Sequence, residues 1–306
     1  MTKIISVVPN ISEGRDTAFI EDLQRKLQAV PGLVLLDVAM DQARNRTVLS
    51  FTGSKDAIFQ GGFVLYEETL KRVDMREHQG EYPRIGAVDA FPFVVVKDAT
   101  IEEAVVWSTE FAEEVARRFE LPTYLAYESA RHAQRRDIEN IRDGEYEGFA
   151  AKMSDPAWKP DFGPETFPID KGATIIGARF PLVNFKVYLN TANEEAAVWV
   201  ANTLSSPTTG LPNVKFYPGL DRQRNLALLN ITVGNYQATP LYRVIEAIKT
   251  ELRRFGANIS KVETIGLVPS AALVDSALHY LQVTDFDNEN LLEKRLNHVV
   301  DARLGD

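Results

Sequence analysis

The densest group of residues that could do chemistry lies between positions 74 and 89. These sixteen residues carry four acids, two arginines and a histidine, His78, together with Gly80 and Pro83. They run directly into an apolar, strand-like segment at 91–96. Because polar loops that lead into a buried strand often carry binding and catalytic residues, this stretch is a candidate site. The alternative is a solvated connection in which the glycine and the proline only mark a turn or loop.

Composition predicts an ordinary globular protein with a large core. The 306 residues fit two compact lobes of about 150 residues each. Hydrophobic residues make up 45% of the chain and charged residues 25%, which is typical of folded rather than disordered proteins. The absence of cysteine excludes disulfides, thiolate nucleophiles and cysteine-ligated zinc, and it suits a reducing compartment.

Charge and hydropathy exclude several classes of partner. The net charge is −9 with no block of Lys or Arg, which argues against nucleic-acid and anionic-membrane binding. The N-terminus turns polar too early for a signal peptide and no apolar run reaches the length of a membrane span, so we expect a cytoplasmic protein. The histidines show no paired spacing, so no zinc site is predicted, and no Walker or Gly-x-Gly-x-x-Gly motif occurs. The four are His78, His132, His279 and His298.

The elements that must position the candidate loop follow a repeated order. Strands are predicted at 3–8, 33–38, 46–52 and 91–96, with helices at 17–30 and 54–72. This is a βαββαβ order, the ferredoxin-like pattern, with the candidate loop placed before the last strand. A capping box at Thr100 and Glu103 begins a helix to about 119, and a strand at 123–126 and a helix at 137–141 follow.

The second half repeats this order, so the predicted fold class is α+β. Strands at 183–189, 214–217, 225–233 and 259–264 enclose helices at 193–204 and 240–255. Thr239 is the predicted N-cap of the second of these helices, and Pro240 its first residue. Its apolar residues recur at helical spacing and are predicted to be core: Leu241, Val244, Ile245, Ile248, Leu252 and Phe255. Further helices are predicted at 269–280 and 291–299. Between the halves, 142–171 is rich in Gly, Pro and Asp, as in an interlobe linker or a binding loop.

The motif His-x-Gly-Glu-x-Pro-Arg-x-Gly-Ala-x-Asp, from His78 to Asp89, resembles the signature loop of the glutamate formiminotransferases, the folate-dependent enzymes of histidine breakdown. The resemblance covers nearly the whole chain, with further blocks in the expected order. These blocks lie at 8–14, 45–48, 142–147, 158–164, 177–179 and 266–269. The chain is therefore identified as a member of that superfamily.

The resemblance implies a fold and an activity. The expected fold is two ferredoxin-like lobes, 1–180 and 181–306, whose sheets face each other with folate between them. The signature loop 74–89 and an interlobe loop at 142–172 belong to the first lobe. The implied reaction moves a formimino or formyl group between an amino acid such as glutamate and N5 of tetrahydrofolate, the co-substrate, without a metal. The family is usually homodimeric.

The resemblance also implies a set of substrate and folate contacts. In the stretch 163–172, which corresponds to the family's folate-binding loop, Lys171 is expected to meet a glutamate tail. The alternative is that this stretch is only the connection between the lobes. Lys186 is expected to grip a carboxylate in place of a contact that this chain lacks. The full set is Asn10, Asn45, Arg46, Glu81, Asp89, Gly163, Pro164, Lys171, Gly172, Arg179 and Lys186.

The chain departs from the family at the proton-transfer position. Attack of N5 on an amidine-like carbon needs a general base and a general acid, and the family supplies a His where this chain has Tyr82. An unperturbed phenol titrates near ~10 against ~6.5 for imidazole, so Tyr82 needs nearby cations, for which Arg76 and Arg84 are the neighbours in sequence. His78 is the other candidate, with a loop-ordering hydrogen bond as its alternative role. Arg84 is expected to hold an anionic group.

Three hypotheses follow for the activity. The first is a formimino- or formyl-transferring enzyme that uses Tyr82 or His78. The second is an enzyme of the same fold that acts on another substrate. The third is a non-catalytic folate-binding protein.

Overall fold

The computed structural model describes residues 3–206, 208–287 and 290–295. The chain divides into two compact units, Met1–Phe180 and Pro181–Asp306. Each unit packs helices against its own β-sheet around its own apolar core. The predicted α+β class with two lobes is therefore confirmed, whereas the facing of the two sheets stays a prediction.

The first unit begins with the predicted βαββαβ order. Its elements are β1 (Ile4–Val7), β2 (Asn10–Ile11), α1 (Thr17–Gln28), β3 (Leu33–Asp41), β4 (Arg46–Gly53), α2 (Lys55–Arg72) and β5 (Val88–Lys97). β1 and β2 act as one strand interrupted at Pro9, since both pair antiparallel with β4 on one side and β5 on the other. β3 pairs with the free side of β4. The candidate loop connects α2 to β5, as predicted.

Two further strands extend this sheet beyond β5. The elements are α3 (Ile101–Phe119), β6 (Thr123–Tyr127), α4 (Ile138–Arg142), α5 (Glu145–Met153) and β7 (Thr174–Arg179). β7 lies between β5 and β6 and is parallel to both. The capping box of Thr100 and Glu103 begins α3 as predicted. The stretch 142–171, predicted to be an interlobe linker or a binding loop, contains a helix that was not predicted, α5, which follows Gly144 in a left-handed conformation.

The second unit repeats the βαββαβ order. It contains β8 (Val183–Leu189), α6 (Glu194–Leu204), β9 (Val214–Asp221), β10 (Leu226–Val233), α7 (Leu241–Leu252), β11 (Ile259–Ile265) and α8 (Ser270–Leu281). The sheet is antiparallel, in the order β11-β8-β10-β9. In the first unit, β5, β1, β4 and β3 are the strands equivalent to β11, β8, β10 and β9. They pair in the equivalent order, β5-β1-β4-β3.

Details of the second unit correct one prediction and confirm another. The predicted apolar face of α7 is confirmed, because its six residues are buried or pack against the core. The predicted N-cap is wrong: Pro240 occupies that position, and the Thr239 hydroxyl donates to the Pro212 carbonyl at 2.6 Å instead. The predicted last helix extends beyond 295, and its remainder, with His298, lies outside the described residues. None of the helices described is long and apolar enough to cross a membrane.

The candidate loop is packed into the first unit at both ends, while five residues in its middle are exposed: Arg76, Glu77, Gln79, Glu81 and Pro83. The backbone N–H of Met75 donates to Asp170 and that of Ala87 to Lys171, each at 2.9 Å. Gly86 forms a bridge with Gly172, and a Cβ on Gly86 would lie 2.1 Å from the Ala173 carbonyl oxygen. This close backbone contact excludes any other residue type there. Both ends of the loop are thereby held against the segment that leads into β7.

Candidate functional site

Tyr82 is surrounded by guanidinium groups from elements distant in sequence. Arg46, at the start of β4, lies 4.0 Å from the centroid of the Tyr82 ring, and Arg44 lies at 5.8 Å. Arg142, the last residue of α4, lies at 5.2 Å and donates Nη1–H to the Tyr82 hydroxyl at 3.2 Å. Cations held over the face of a ring and at its hydroxyl favour the phenolate form.

The electrostatic balance lowers the pKa of Tyr82. Burial of the ring acts to raise this pKa, but the charges of Arg142 and Arg46 outweigh it, so the pKa lies below the ordinary value for a phenol. The expectation that Arg76 and Arg84 supply these cations is wrong. Arg76 is paired with the neighbouring carboxylate of Asp74, and Arg84 is held elsewhere.

A buried ion pair orients Arg142. Its Nη2 donates to the carboxylate of Asp89, and the two residues are 6% and 2% exposed. Asp89 also accepts the backbone N–H of Ile85 at 3.0 Å. The Arg142 Nε atom is buried without a hydrogen-bond partner among the described residues. Since buried polar groups are normally satisfied, this N–H is available to a ligand.

Asn10 and Asn45 hold the loops that carry the cations. The Asn10 side-chain oxygen accepts from Arg46, and its Nδ2 donates to the Val8 carbonyl at 3.1 Å. Asn45 adopts a left-handed conformation, with φ of 48°. Its Oδ1 accepts the Gly14 N–H at 2.9 Å and its Nδ2 donates to the Gln79 carbonyl at 3.0 Å. The two amides therefore position this site through contacts within the protein.

His78 has both ring nitrogens engaged. Its Nδ1 accepts from Arg84 Nε at 3.2 Å, and its Nε2 lies 2.9 Å from the Asn45 carbonyl oxygen. An acceptor at Nδ1 and a carbonyl at Nε2 assign the proton to Nε2. Burial lowers the pKa of His78, and the charge of Arg84 lowers it further. The neutral ring thus ties the loop to the residues preceding β4 and has no free lone pair, which favours the loop-ordering role.

Arg84 is 6% exposed and is held by carboxylates of α5. Nη1 and Nη2 donate to Glu147 at 2.8 and 2.7 Å, and Nη1 also donates to Glu145 at 3.2 Å. The group expected to hold an anion is therefore already paired with two acids. An open depression of about 500 Å³ lies here, lined by Gln79, Gly80, Arg84, Gly144, Glu145 and Glu147.

A second cleft, of only about 10 Å³, brings six of the predicted site residues together. They are Asn45, Arg46, His78, Tyr82, Arg84 and Asp89, with Ile11, Ser12 and Arg44 completing the wall. Glu81 is exposed, and its backbone N–H donates to the Ala43 carbonyl at 3.5 Å. In the described residues no group of three or more His, Asp or Glu side chains could hold a metal ion.

The stretch 163–172 packs within the first unit, against the end of α3, the segment between α3 and β6, and the signature loop. Gly163 has a φ of 87°, and a Cβ there would lie 2.2 Å from the Leu121 carbonyl oxygen. Lys171 Nζ donates to the Phe119 carbonyl at 3.4 Å, and a Cβ on Gly172 would lie 2.2 Å from the Ile85 carbonyl oxygen. These residues, with Pro164, line neither cleft, which favours the connecting role.

Lys186 belongs to the second unit, on β8, opposite Asn230 of β10 and Glu263 of β11. It alternates with Phe185 and Val187, which face the helices, so it lies on the other face of that sheet.

Arg179 ends β7, where Nη1 donates to the Phe180 carbonyl at 3.0 Å and Nε is buried without a partner in the described chain. Burial lowers the pKa of Arg179, and the charge of Tyr127 acts against that lowering. Neither Tyr127 nor Arg142 was among the predicted contacts. Arg142 opens the block at 142–147, so this motif carried the signal for it.

Comparisons with known proteins cover both units. The family described as "Formiminotransferase domain, N-terminal subdomain" matches residues 4–179, and "Formiminotransferase domain" matches residues 214–305. The chain is 37% identical over 297 residues to a glutamate formimidoyltransferase of Streptococcus pyogenes serotype M1, covering 97% of this chain and 99% of that protein. It is 34% identical to a glutamate formimidoyltransferase of Thermoplasma acidophilum over 96% of this chain and 97% of that protein. A mouse formimidoyltransferase-cyclodeaminase is 33% identical over 100% of this chain and 57% of its own length.

Proposed function

We infer that this chain, which belongs to the formiminotransferase family, transfers a formimino group between an N-formimino amino acid such as glutamate and N5 of tetrahydrofolate. The names of the relatives support transferase activity. The observation that carries the proposal is the cleft around Tyr82, where the signature loop meets Arg46 and Arg142.

The cleft suits the proton transfer that this reaction needs. Nitrogen N5 attacks the amidine carbon and must lose its proton, so a base has to stand beside it. Tyr82 serves as that base in the phenolate form, which Arg142 and Arg46 stabilise. The Nε atoms of Arg46 and Arg142 are buried, and neither N–H has a partner among the described residues, so these donors are suited to an anionic substrate group.

One observation favours a second candidate, a folate-binding protein that has lost the transfer step. Both nitrogens of His78 are engaged inside the protein, so no imidazole stands in for the family's histidine. In that case Tyr82 is a structural residue that stacks between arginines.

The two candidates separate in one experiment. The purified protein is titrated with tetrahydrofolate and 5-formyl-tetrahydrofolate, and N-formimino-glutamate is then added while the folate product is followed. We expect binding and turnover in the wild type, with turnover lost in Tyr82→Phe, because phenylalanine keeps the ring contacts with the arginines but removes the base. Tyr236→Phe, in the second unit, is the matched control.

Binding of folate without turnover selects the second candidate. Absence of folate binding contradicts both. Unchanged turnover in Tyr82→Phe retains the transferase activity but removes Tyr82 from the mechanism.

A further inference from the structure

The side chain of Lys152, in the last turn of α5, binds the end of α4. Its Nζ donates to the Asn140 carbonyl at 2.6 Å, to the Ile141 carbonyl at 3.1 Å and to the Asp143 carbonyl at 2.8 Å. An ammonium group has three N–H donors, so these contacts use all of them. The three carbonyls lie on both sides of Arg142, the last residue of α4.

The end of α4 needs a partner of this kind. The helix has five residues, and an isolated helix of that length is not stable in water. The last carbonyls of a helix have no N–H partner within it, and a cation close to them is favourable. The Asp143 N–H donates to the Glu139 carbonyl at 2.9 Å, and the next two carbonyls along the chain are those that Lys152 binds.

Lys152 is itself held in place. It is half-buried, and its Nζ lies 4.1 Å from the centroid of the Trp158 ring. The carbonyl of Trp158 accepts the hydroxyl of Tyr124, a residue of β6, at 2.7 Å. These contacts connect the ammonium group to the sheet of the first unit, so Lys152 links the end of α4 to that sheet.

The position of Arg142 decides how it meets Tyr82. Arg142 makes two contacts of unequal strength, a buried one with the carboxylate of Asp89 and one of 3.2 Å with the Tyr82 hydroxyl. Because the contact between opposite charges is the stronger of the two, a displacement of the end of α4 should break the contact with the hydroxyl first.

We propose that Lys152 is a positioning residue of this site: it binds the carbonyls on both sides of Arg142 and thereby holds the guanidinium group at the Tyr82 hydroxyl. This inference rests on the proposed transferase function, in which Tyr82 is the base. In the described structure Lys152 does not line the cleft around Tyr82, so it acts through Arg142. Removal of the ammonium group should therefore change the chemistry of Tyr82 while every residue of the cleft is kept.

The charges around Tyr82 determine what such a displacement does. Burial and the charge of Asp89 act to raise the pKa of this phenol, whereas the charges of Arg142 and Arg46 lower it. The other titratable and charged groups that face the phenol are Arg44 and Tyr127. Since Arg46 keeps its place when Arg142 moves, the pKa of Tyr82 should rise only in part toward about 10, the ordinary value of a phenol.

The test replaces Lys152 by methionine, which keeps an unbranched stem and removes the donors. We expect Lys152→Met to lower kcat by about 10- to 10²-fold with little change in the KM for tetrahydrofolate, since a small displacement at the reacting centre has an effect of this size. The rise of kcat/KM with pH should move to higher pH. Lys159→Met is the matched control: Lys159 is paired with Glu165, the two side chains are 53% and 64% exposed, and the wild-type rate and pH profile should be kept.

The absence of cysteine from the chain allows a chemical rescue at this position. Lys152→Cys should have the same defect as Lys152→Met. Alkylation of its single thiol with 2-bromoethylamine gives a side chain of the length of lysine that ends in an ammonium group, and we expect most of the rate and the wild-type pH profile to return. Alkylation with iodoacetamide adds a neutral group and should not restore them.

Titration of ring-labelled tyrosines by NMR gives a readout independent of turnover, with the Tyr82 signal identified by its absence in Tyr82→Phe. The pKa of Tyr82 should be higher in Lys152→Met than in the wild type. An equal pKa in both proteins overturns the positioning role, even where Lys152→Met is less stable, and leaves the transferase function intact. The same conclusion follows if 2-bromoethylamine does not restore the rate of Lys152→Cys.

Two further outcomes are distinguishable from these. If Lys152→Met does not fold, Lys152→Gln, which keeps amide donors without the charge, takes its place in both measurements. A wild type that transfers nothing overturns the proposed function and this inference with it.

Discussion

Arg142 donates to Asp89 through Nη2 and to the Tyr82 hydroxyl through Nη1, the second contact at 3.2 Å. One buried cation therefore serves a carboxylate and a phenol at once. Because Asp89 fixes the guanidinium plane, Arg142 meets the hydroxyl without the entropy loss of a free side chain. The contact ties the protonation of Tyr82 to the packing of α4.

The transfer rate should rise with pH through a pKa below ~10, because the base is the deprotonated form of Tyr82 and its pKa is lowered. In Tyr82→His the rise should move toward ~6.5, the region of an imidazole, with an equal or higher rate at neutral pH. The measurement is kcat/KM against pH for both proteins. A rise at the same pH in both proteins assigns the titration to another group.

Arg142→Met should destabilise the first unit by about 3 to 5 kcal/mol, because it leaves the carboxylate of Asp89 buried without its cation. Combining it with Asp89→Asn should cost less than the sum of the single changes. Denaturant unfolding measures all three variants. Arg117→Met is the control, since its pair with Glu114 is 67% and 37% exposed and should contribute less than about 1 kcal/mol. If the double variant loses as much unfolding free energy as the two single variants together, the coupling between Arg142 and Asp89 is contradicted.

His78 should make stability depend on pH without acting as a base. Its folded pKa is lowered, so below ~6.5 the unfolded chain binds the proton more readily, and stability falls as the pH falls through that region. His78→Gln keeps a donor for Asn45 and an acceptor for Arg84 but does not titrate. We expect this variant to lose that part of the pH dependence of unfolding and to keep the pH profile of transfer. If the pH profile of transfer changes in this variant, His78 takes part in the proton transfer.

Gly163 should contribute to the stability of the fold rather than to the binding of folate. Alanine there meets the Leu121 carbonyl at 2.2 Å with a φ of 87°, so Gly163→Ala should destabilise the protein by about 1 to 3 kcal/mol. Gly148→Ala is the control: it lies within α5 with no atom within 4 Å of the new Cβ and should stabilise by about 0.5 to 1 kcal/mol. Thermal unfolding compares the two, and folate titration of Gly163→Ala should match the wild type. Weaker folate binding at unchanged stability supports the binding-loop alternative.

Local patterns determined the elements and the location of the site. The capping box at Thr100, the helical spacing along α7 and the alternation along β8 depend on residues only a few positions apart, so the sequence states them directly. The signature loop was identified for the same reason, since its residues are contiguous. A helix such as α5, which begins after Gly144 without a side-chain N-cap, lacks these signals.

Only the tertiary structure decided which groups meet inside the site. Arg76 and Arg84 are nearest to Tyr82 in sequence, yet Arg46 and Arg142 surround it, because strand pairing and the packing of α4 bring together side chains from distant positions. The same long-range contacts direct Lys171 to the end of α3. The sequence by itself determined the fold class, the family and the loop that carries the chemistry. The charges that tune that chemistry follow from contacts across the sheet, which no local spacing encodes.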